Sequence, residues 1–184
     1  VFQSALARIA KDYHDFDMTE CFIDGTFASA KKGAARSEKQ RGGKGSKIMV
    51  VTDASGLPVA AHVASASPHE ITLVEATLDS AWTEAAPERL VGDKAYDSDR
   101  HDEKLLDERG IILIAPNRSN IKDCRKPQDG RALRRYKRRR KSERVNAWLQ
   151  NFRRVVVRWE FKAENYAGFV LLACLVIITR SIDF

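Results

Sequence analysis

Asp24 closes an apolar run in Ile23-Asp24-Gly25-Thr26, and Asp93 closes another in Val91-Gly92-Asp93-Lys94. In α/β sheets, functional groups gather where strands end and loops open a crevice. Two strand-borne carboxylates brought side by side repel unless a cation neutralises them, and hard oxygen donors suit Mg²⁺. Each aspartate taken alone also reads as an ordinary turn residue.

Glu143 is the candidate third carboxylate. Projected at about 100° per residue, a helix over 131–151 places Tyr136, Arg139, Glu143 and Gln150 on one stripe. Val145, Trp148, Leu149 and Phe152 fall on the opposite stripe at core spacing. Periodicity alone reads the Glu143 stripe as a solvated charged face.

Arg131, Arg134, Arg135, Lys137, Arg138, Arg139, Arg140 and Lys141 form a basic run with no acid inside it. Such a run can neutralise phosphates and release counterions. Arg134, Arg138 and Arg140 are the candidate phosphate contacts, with Lys94 a further one beside Asp93. His62, in a strand, and His69, at a helix start, read as structural; His14 and His101 read as surface residues. Trp82 and Trp159 read as packing residues.

The elements that position these groups follow from patterning. Residues 1–19 are mildly helical, and Glu20 to Ala28 reads as a strand. The Lys-, Arg- and Gly-rich stretch 31–47 reads as a flexible loop. Two β-rich runs, 47–52 and 57–64, flank Asp53-Ala54-Ser55-Gly56 as a hairpin. Ser67, Pro68 and Glu70 predict a capping box opening a helix to about Ala81. A short strand at 89–91 leads to Asp93. A helix over 98–109, headed by Asp97 and Ser98, is stopped by Gly110, and 111–115 is a buried strand. A polar loop at 117–130, the basic helix and a last helix over 163–181 complete the chain. A mixed sheet covered by helices suits this order.

The 184 residues are 43% hydrophobic, enough for one domain with a sizeable core. Thirty-two Lys and Arg against 25 Asp and Glu give +7, which favours a polyanionic partner. Cys21, Cys124 and Cys174 are scattered, which argues against a disulfide framework or a zinc site. The apolar run Ala167 to Ile178 falls short of the roughly 20 residues a membrane span needs, so it reads as a buried helix and no membrane partner is expected.

Tyr136-x2-Arg139-x3-Glu143 resembles the Y-x2-R-x3-E signature of bacterial insertion-sequence DDE transposases. Ile23-Asp24-Gly25-Thr26 resembles their first aspartate motif, and Gly92-Asp93-Lys94-Ala95-Tyr96-Asp97-Ser98 their second. The Gly-rich stretch at 42–47, the hairpin, the polar pair His69-Glu70 and Arg153-Arg154 add to the likeness. The most similar group is the one named after insertion sequence five, and the resemblance runs over about residues 20–181.

The resemblance implies an RNase H-like (retroviral integrase-like) mixed sheet flanked by helices. It implies catalytic, metal-ligating roles for Asp24, Asp93 and Glu143 with two Mg²⁺ or Mn²⁺ ions, and metal-dependent cleavage and strand transfer. The expected partner is double-stranded DNA, both transposon ends and target, bound by a homo-oligomer in the bacterial cytoplasm at the nucleoid. Tyr136 and Arg139 join Arg134, Arg138, Arg140 and Lys94 as expected DNA contacts. Gln150 stands where the family pattern has a DNA-contacting lysine, and Arg144, Arg153 or Arg154 are candidates to substitute for it.

Residues 20–184 are then the catalytic domain and 1–19 a linker helix or remnant. Only 19 residues precede Glu20, and the opening Val1 points to an upstream part, so poor discrimination between DNA sequences is expected. Two other readings fit: a different RNase H-like nuclease such as a resolvase, and a DNA-binding relic without turnover.

Overall fold

Strand β1 (Cys21–Ala30) is central because its alternation leaves apolar residues on both faces. Cys21 and Ile23 face one side, and Phe22 and Ala28 the other; all four are buried. The computed structural model describes residues 1–13, 16–31, 38–40, 43–117 and 130–181. Along one edge β1 pairs antiparallel with β3 (Gly43–Thr52), from Phe22↔Thr52 to Ser29↔Gly45. β3 pairs in turn with β2 (Glu38–Gln40) and β4 (Pro58–Ser65), both antiparallel. Along its other edge β1 pairs in parallel with β5 (Arg89–Val91) and, near its far end, with β7 (Val157–Arg158). β6 (Ile112–Ile114) continues the sheet in parallel beyond β5.

Helices cover both faces. On one side α2 (Val74–Asp79) and α3 (Asp99–Arg109) close a core containing Ile23, Met49, Val51, Val74, Leu78, Leu90 and Leu105. On the other, α1 (Phe2–Tyr13), α5 (Arg140–Leu149), the short α6 (Arg153–Val156) and α7 (Ala163–Thr179) close a core containing Leu6, Ile48, Val50, Val145, Leu149, Val155, Tyr166, Val170 and Cys174. The apolar run at 167–178 is therefore core helix. Among the described residues no helix is long and apolar enough to cross a membrane.

Several sequence expectations hold and several are corrected. The hairpin, the strand before Asp93, the helix ending at a left-handed Gly110 and the buried strand after it are all present. The stretch expected as a loop over 31–47 instead supplies β2 and the start of β3. Backbone pairing tolerates glycine there, and Gly45 makes room for Phe27, since a Cβ would lie 2.3 Å from that ring. Residues 32–37 and 41–42, the polar loop over 118–129, Cys124 and His14 lie outside the described residues.

The capping box does not form. The helix opens as a 3-10 turn, Glu70–Leu73, whose N-cap is His69 with no side-chain cap. Lys47 and Tyr96 draw the Glu70 carboxylate away from the backbone. Helix 131–151 is not continuous either. α4 (Gly130–Tyr136) passes through a 3-10 turn, Lys137–Arg139, into α5. The tighter turn re-phases the two halves. Tyr136 then packs on Phe22, Val91 and Ile114, while Val145 and Leu149 enter the core closed by α1 and α7. Trp148 is 36% exposed and Trp159 59% exposed, so neither is the packing residue expected; Trp159 lies under Lys31 in the segment before α7. Trp82 is buried as expected.

Candidate functional site

The parallel register Cys21↔Leu90 and Phe22↔Val91 brings β1 and β5 to the same height, and each strand carries an aspartate two residues farther on. Asp24 is pinned at both oxygens. The Gly25 N–H donates to Oδ1 at 3.0 Å, and Asn146 Nδ2 on α5 donates to Oδ2 at 3.1 Å. Asp93 is the N-cap of a one-turn 3-10 helix, Lys94–Tyr96, where its Oδ1 accepts from Ala95 N at 2.7 Å. The local turn thus fixes the second aspartate just as the sheet fixes the first.

Glu143 lies on α5 with its side chain about half exposed. It does not join the aspartates directly. Between them stands Arg139, whose Nη2 is 2.8 Å from Glu143 Oε1 and whose Nη1 is 3.9 Å from Asp93 Oδ2. The guanidinium also rests 5.5 Å from the centre of the Tyr136 ring. Among the described residues, no three acidic, histidine or cysteine side chains converge closely enough to hold a metal ion as they stand.

A fourth carboxylate borders the site. Glu70 accepts from the Tyr96 hydroxyl at 3.1 Å and lies 3.8 Å from Lys47 Nζ, which itself donates to Pro68 O at 2.7 Å. Glu70 presses on Gly25 so closely that a Cβ there would sit 2.7 Å from Glu70 Cδ. Burial pushes the Asp24 carboxyl up to about 6; the Arg139 guanidinium and the Gly25 N–H oppose the rise, and Glu70 and Asp93 add to it. Burial, Glu70, Asp24 and Asp93 together drive the Tyr96 hydroxyl upward as well. Hard oxygen donors and a carboxyl resisting ionisation match the donor type and charge that a divalent cation would satisfy.

The basic run divides by environment. Arg134, Lys137 and Arg140 are exposed. Arg135 Nη1 is 2.6 Å and Arg138 Nη1 3.4 Å from the buried Glu20 carboxylate, so both help hold α4 and its 3-10 turn to the start of β1. Lys141 donates to Ala54 O and Arg144 to Ser55 O at 3.1 Å, which ties α5 to the hairpin turn. Arg154 pairs with Glu160 at 3.0 Å. Lys94 is exposed beside Asp93, and Gln150 is exposed at the end of α5. Tyr136 is half-buried in packing. His101 Nδ1 shares a 3.0 Å hydrogen bond with Ser98 Oγ, and His62 lies half-buried in β4.

Asn146 and Glu70 are the residues that sequence reasoning assigned no part in the site. Asn146 had a visible signal: it is a polar residue three places after Glu143 on the face that α5 buries, and it is only 9% exposed. Glu70 had a weaker one, its place in the polar pair His69-Glu70, which its local role as a capping residue obscured.

Known proteins resemble this chain in both sequence and fold. Residues 15–178 match the family described as "Transposase DDE domain". A protein assigned as the transposase of insertion sequence element IS402 in Burkholderia cepacia is 33% identical over 141 residues, covering 72% of this chain. The match spans 62% of that relative's length. Among solved structures, piggyBac transposase in a synaptic complex with hairpin DNA superposes with a TM-score of 0.58 at 10% identity, covering 89% of this chain and 48% of that one. The catalytic core of BIV integrase gives 0.39 at 17% identity, covering 85% and 82%. The piggyBac likeness concerns the fold, which is RNase H-like, as expected.

Proposed function

Because the chain belongs to the DDE transposase family, we propose that it cuts and joins DNA strands, with Asp24, Asp93 and Glu143 as its metal-ligating carboxylates. Enzymes of this family work with divalent metal ions. The observation that carries the reading is the parallel register of β1 and β5, which sets Asp24, inside β1, and Asp93, just beyond β5, at matching height on neighbouring strands. Glu143 is the remaining carboxylate of the signature and is tied to Asp93 through Arg139. Two Mg²⁺ or Mn²⁺ ions held there would supply activation of the attacking hydroxyl and stabilisation of the leaving oxygen.

The chain's own residues do the positioning. Gly25 N–H and Asn146 orient the two oxygens of Asp24, and the Lys94–Tyr96 turn orients Asp93. Arg134, Arg140 and Lys94 offer exposed charge to the phosphates of double-stranded DNA, and oligomeric assembly on that DNA, in the bacterial cytoplasm at the nucleoid, belongs to the same proposal. We take residues 20–184 as the catalytic unit.

The test is cleavage and strand transfer on labelled duplexes carrying the element's inverted repeats, with Mg²⁺ or Mn²⁺. Asp24→Asn, Asp93→Asn and Glu143→Gln should each abolish both reactions and leave DNA binding intact. Near wild-type turnover in any one of them removes that residue from the set. DNA binding with no metal-dependent cleavage by the unaltered chain would favour a relic without turnover.

A further inference from the structure

The carboxylates at the ends of β5 and α5 already have a cation, and it belongs to the chain. One guanidinium reaches both: Arg139 Nη2 contacts Glu143 and Nη1 approaches Asp93. Its charge also acts on Asp24. The side chain is only 21% exposed, and the Tyr136 ring lies beside it. Without Arg139, Asp24 inside β1, Asp93 beyond β5 and Glu143 in the first turn of α5 would have no guanidinium between them. With it, the three do not form a ligand cluster.

We propose that Arg139 is an exchangeable internal counterion: it holds Asp93 and Glu143 in the metal-free chain and must leave those oxygens for a divalent ion to bind. This rests on the carboxylate assignment proposed above. The physical argument is competition for the same atoms. Arg139 Nη2 donates to Glu143 Oε1, and a lone pair engaged that way cannot go to a metal; at Asp93 the guanidinium acts by its charge across 3.9 Å. Two positive centres at one carboxylate also repel. Arg139 therefore positions Glu143 at a cost in metal affinity. Once off the carboxylates, the guanidinium remains on the Tyr136 ring, where it can meet a phosphate.

The measurement is Mn²⁺ binding to the full chain without DNA, followed by the electron paramagnetic resonance signal of free Mn²⁺. Arg139→Gln keeps a polar side chain, shortens it and removes the charge. It should tighten Mn²⁺ binding by about tenfold or more, the scale expected for one unit charge removed near a protein surface. Arg139→Lys, which keeps the charge, should stay near wild type. Arg8→Gln removes the same charge from the exposed pair with Asp12 and should change nothing.

Arg139 acting only as a structural brace predicts the reverse, because a released Glu143 would bind metal more weakly. Unchanged or weaker Mn²⁺ binding by Arg139→Gln overturns the proposal. Asp24→Asn and Glu143→Gln separate the two readings. If they weaken binding while Arg139→Gln does not tighten it, only the counterion role fails. If neither weakens it, the carboxylate assignment fails and this role with it. Should Arg139→Gln not fold, the Arg139 side-chain N–H resonance of unaltered, ¹⁵N-arginine-labelled protein decides. It should shift and sharpen as Mg²⁺ saturates the chain, and an unmoved resonance overturns the exchange.

Discussion

Asn146 Nδ2 donates to Asp24 Oδ2 across 3.1 Å and joins α5 to β1 on the face of the sheet that α1, α5 and α7 cover. One bond thus fixes both the first aspartate and the helix that carries Glu143, one turn earlier on the same α5. Asn146 Oδ1 is buried with no hydrogen-bond partner among the described residues, so the side chain gives the site a donor at the expense of its own acceptor. Asn146→Leu should leave Asp24 Oδ2 without that donor and raise the Asp24 carboxyl further. Stability should fall by about 1–3 kcal/mol at neutral pH, the usual cost of a buried group left unpaired. Urea denaturation reads the stability and carboxyl NMR the titration; an Asp24 titration unchanged by the substitution sinks the idea.

The raised Asp24 carboxyl makes a stability prediction with a definite sign. An ordinary aspartate titrates near 3.9, and this one is pushed up to about 6 in the fold. Between those values the folded state binds a proton that the unfolded chain does not, so stability falls as pH rises through that window. Above it the penalty stands in full, at about 3 kcal/mol by the linkage relation. Asp24→Asn, which carries no titrating group, should be the more stable protein at pH 7 and should flatten the decline between about pH 4 and 6. Parallel stability curves for the two proteins across that range would contradict this.

Gly25 and Tyr96 should be coupled through Glu70. A methyl group at position 25 collides with the Glu70 carboxylate, and the far end of that flexible side chain must swing away from Tyr96. Gly25→Ala should therefore cost about 1 kcal/mol, the scale of one broken hydrogen bond plus local strain. Tyr96→Phe should cost a similar amount alone and almost nothing on top of Gly25→Ala. Additive losses in this double-mutant cycle would show that Glu70 keeps Tyr96 after all.

The basic run should split into two classes under substitution. Arg134→Ala with Arg140→Ala should weaken DNA binding for all sequences and reduce the slope of log affinity against log salt by about 0.9 for each phosphate no longer neutralised. Arg135→Ala should instead reduce stability by about 2 kcal/mol, because it strips a partner from the buried Glu20 carboxylate. Calorimetry and salt-dependent anisotropy separate the two. A stability loss in the first variant and none in the second would reverse the assignment.

The sequence alone determined whatever depends on neighbours along the chain. An apolar run announced β1, two β-rich runs around a Gly-containing turn announced the hairpin, Gly110 ended α3, and the spacing of Val145 and Leu149 marked the buried face of α5. Asp24 and Asp93 were candidates from the apolar runs they close, and Glu143 from the resemblance of Tyr136-x2-Arg139-x3-Glu143 to the family signature. The structure alone decided what depends on groups far apart in sequence meeting in space. Glu70 looked like a local cap, yet Lys47 and Tyr96 draw its carboxylate into the site. Arg135 and Arg138 looked like part of a phosphate-binding run, with Arg138 a candidate contact, yet the buried Glu20 takes them up. Arg139 looked like a DNA contact, yet it stands between the carboxylates it was expected only to accompany. Periodicity records which face a residue occupies, but charge pairing is set by whatever the fold brings within a few ångströms, and that information is not local.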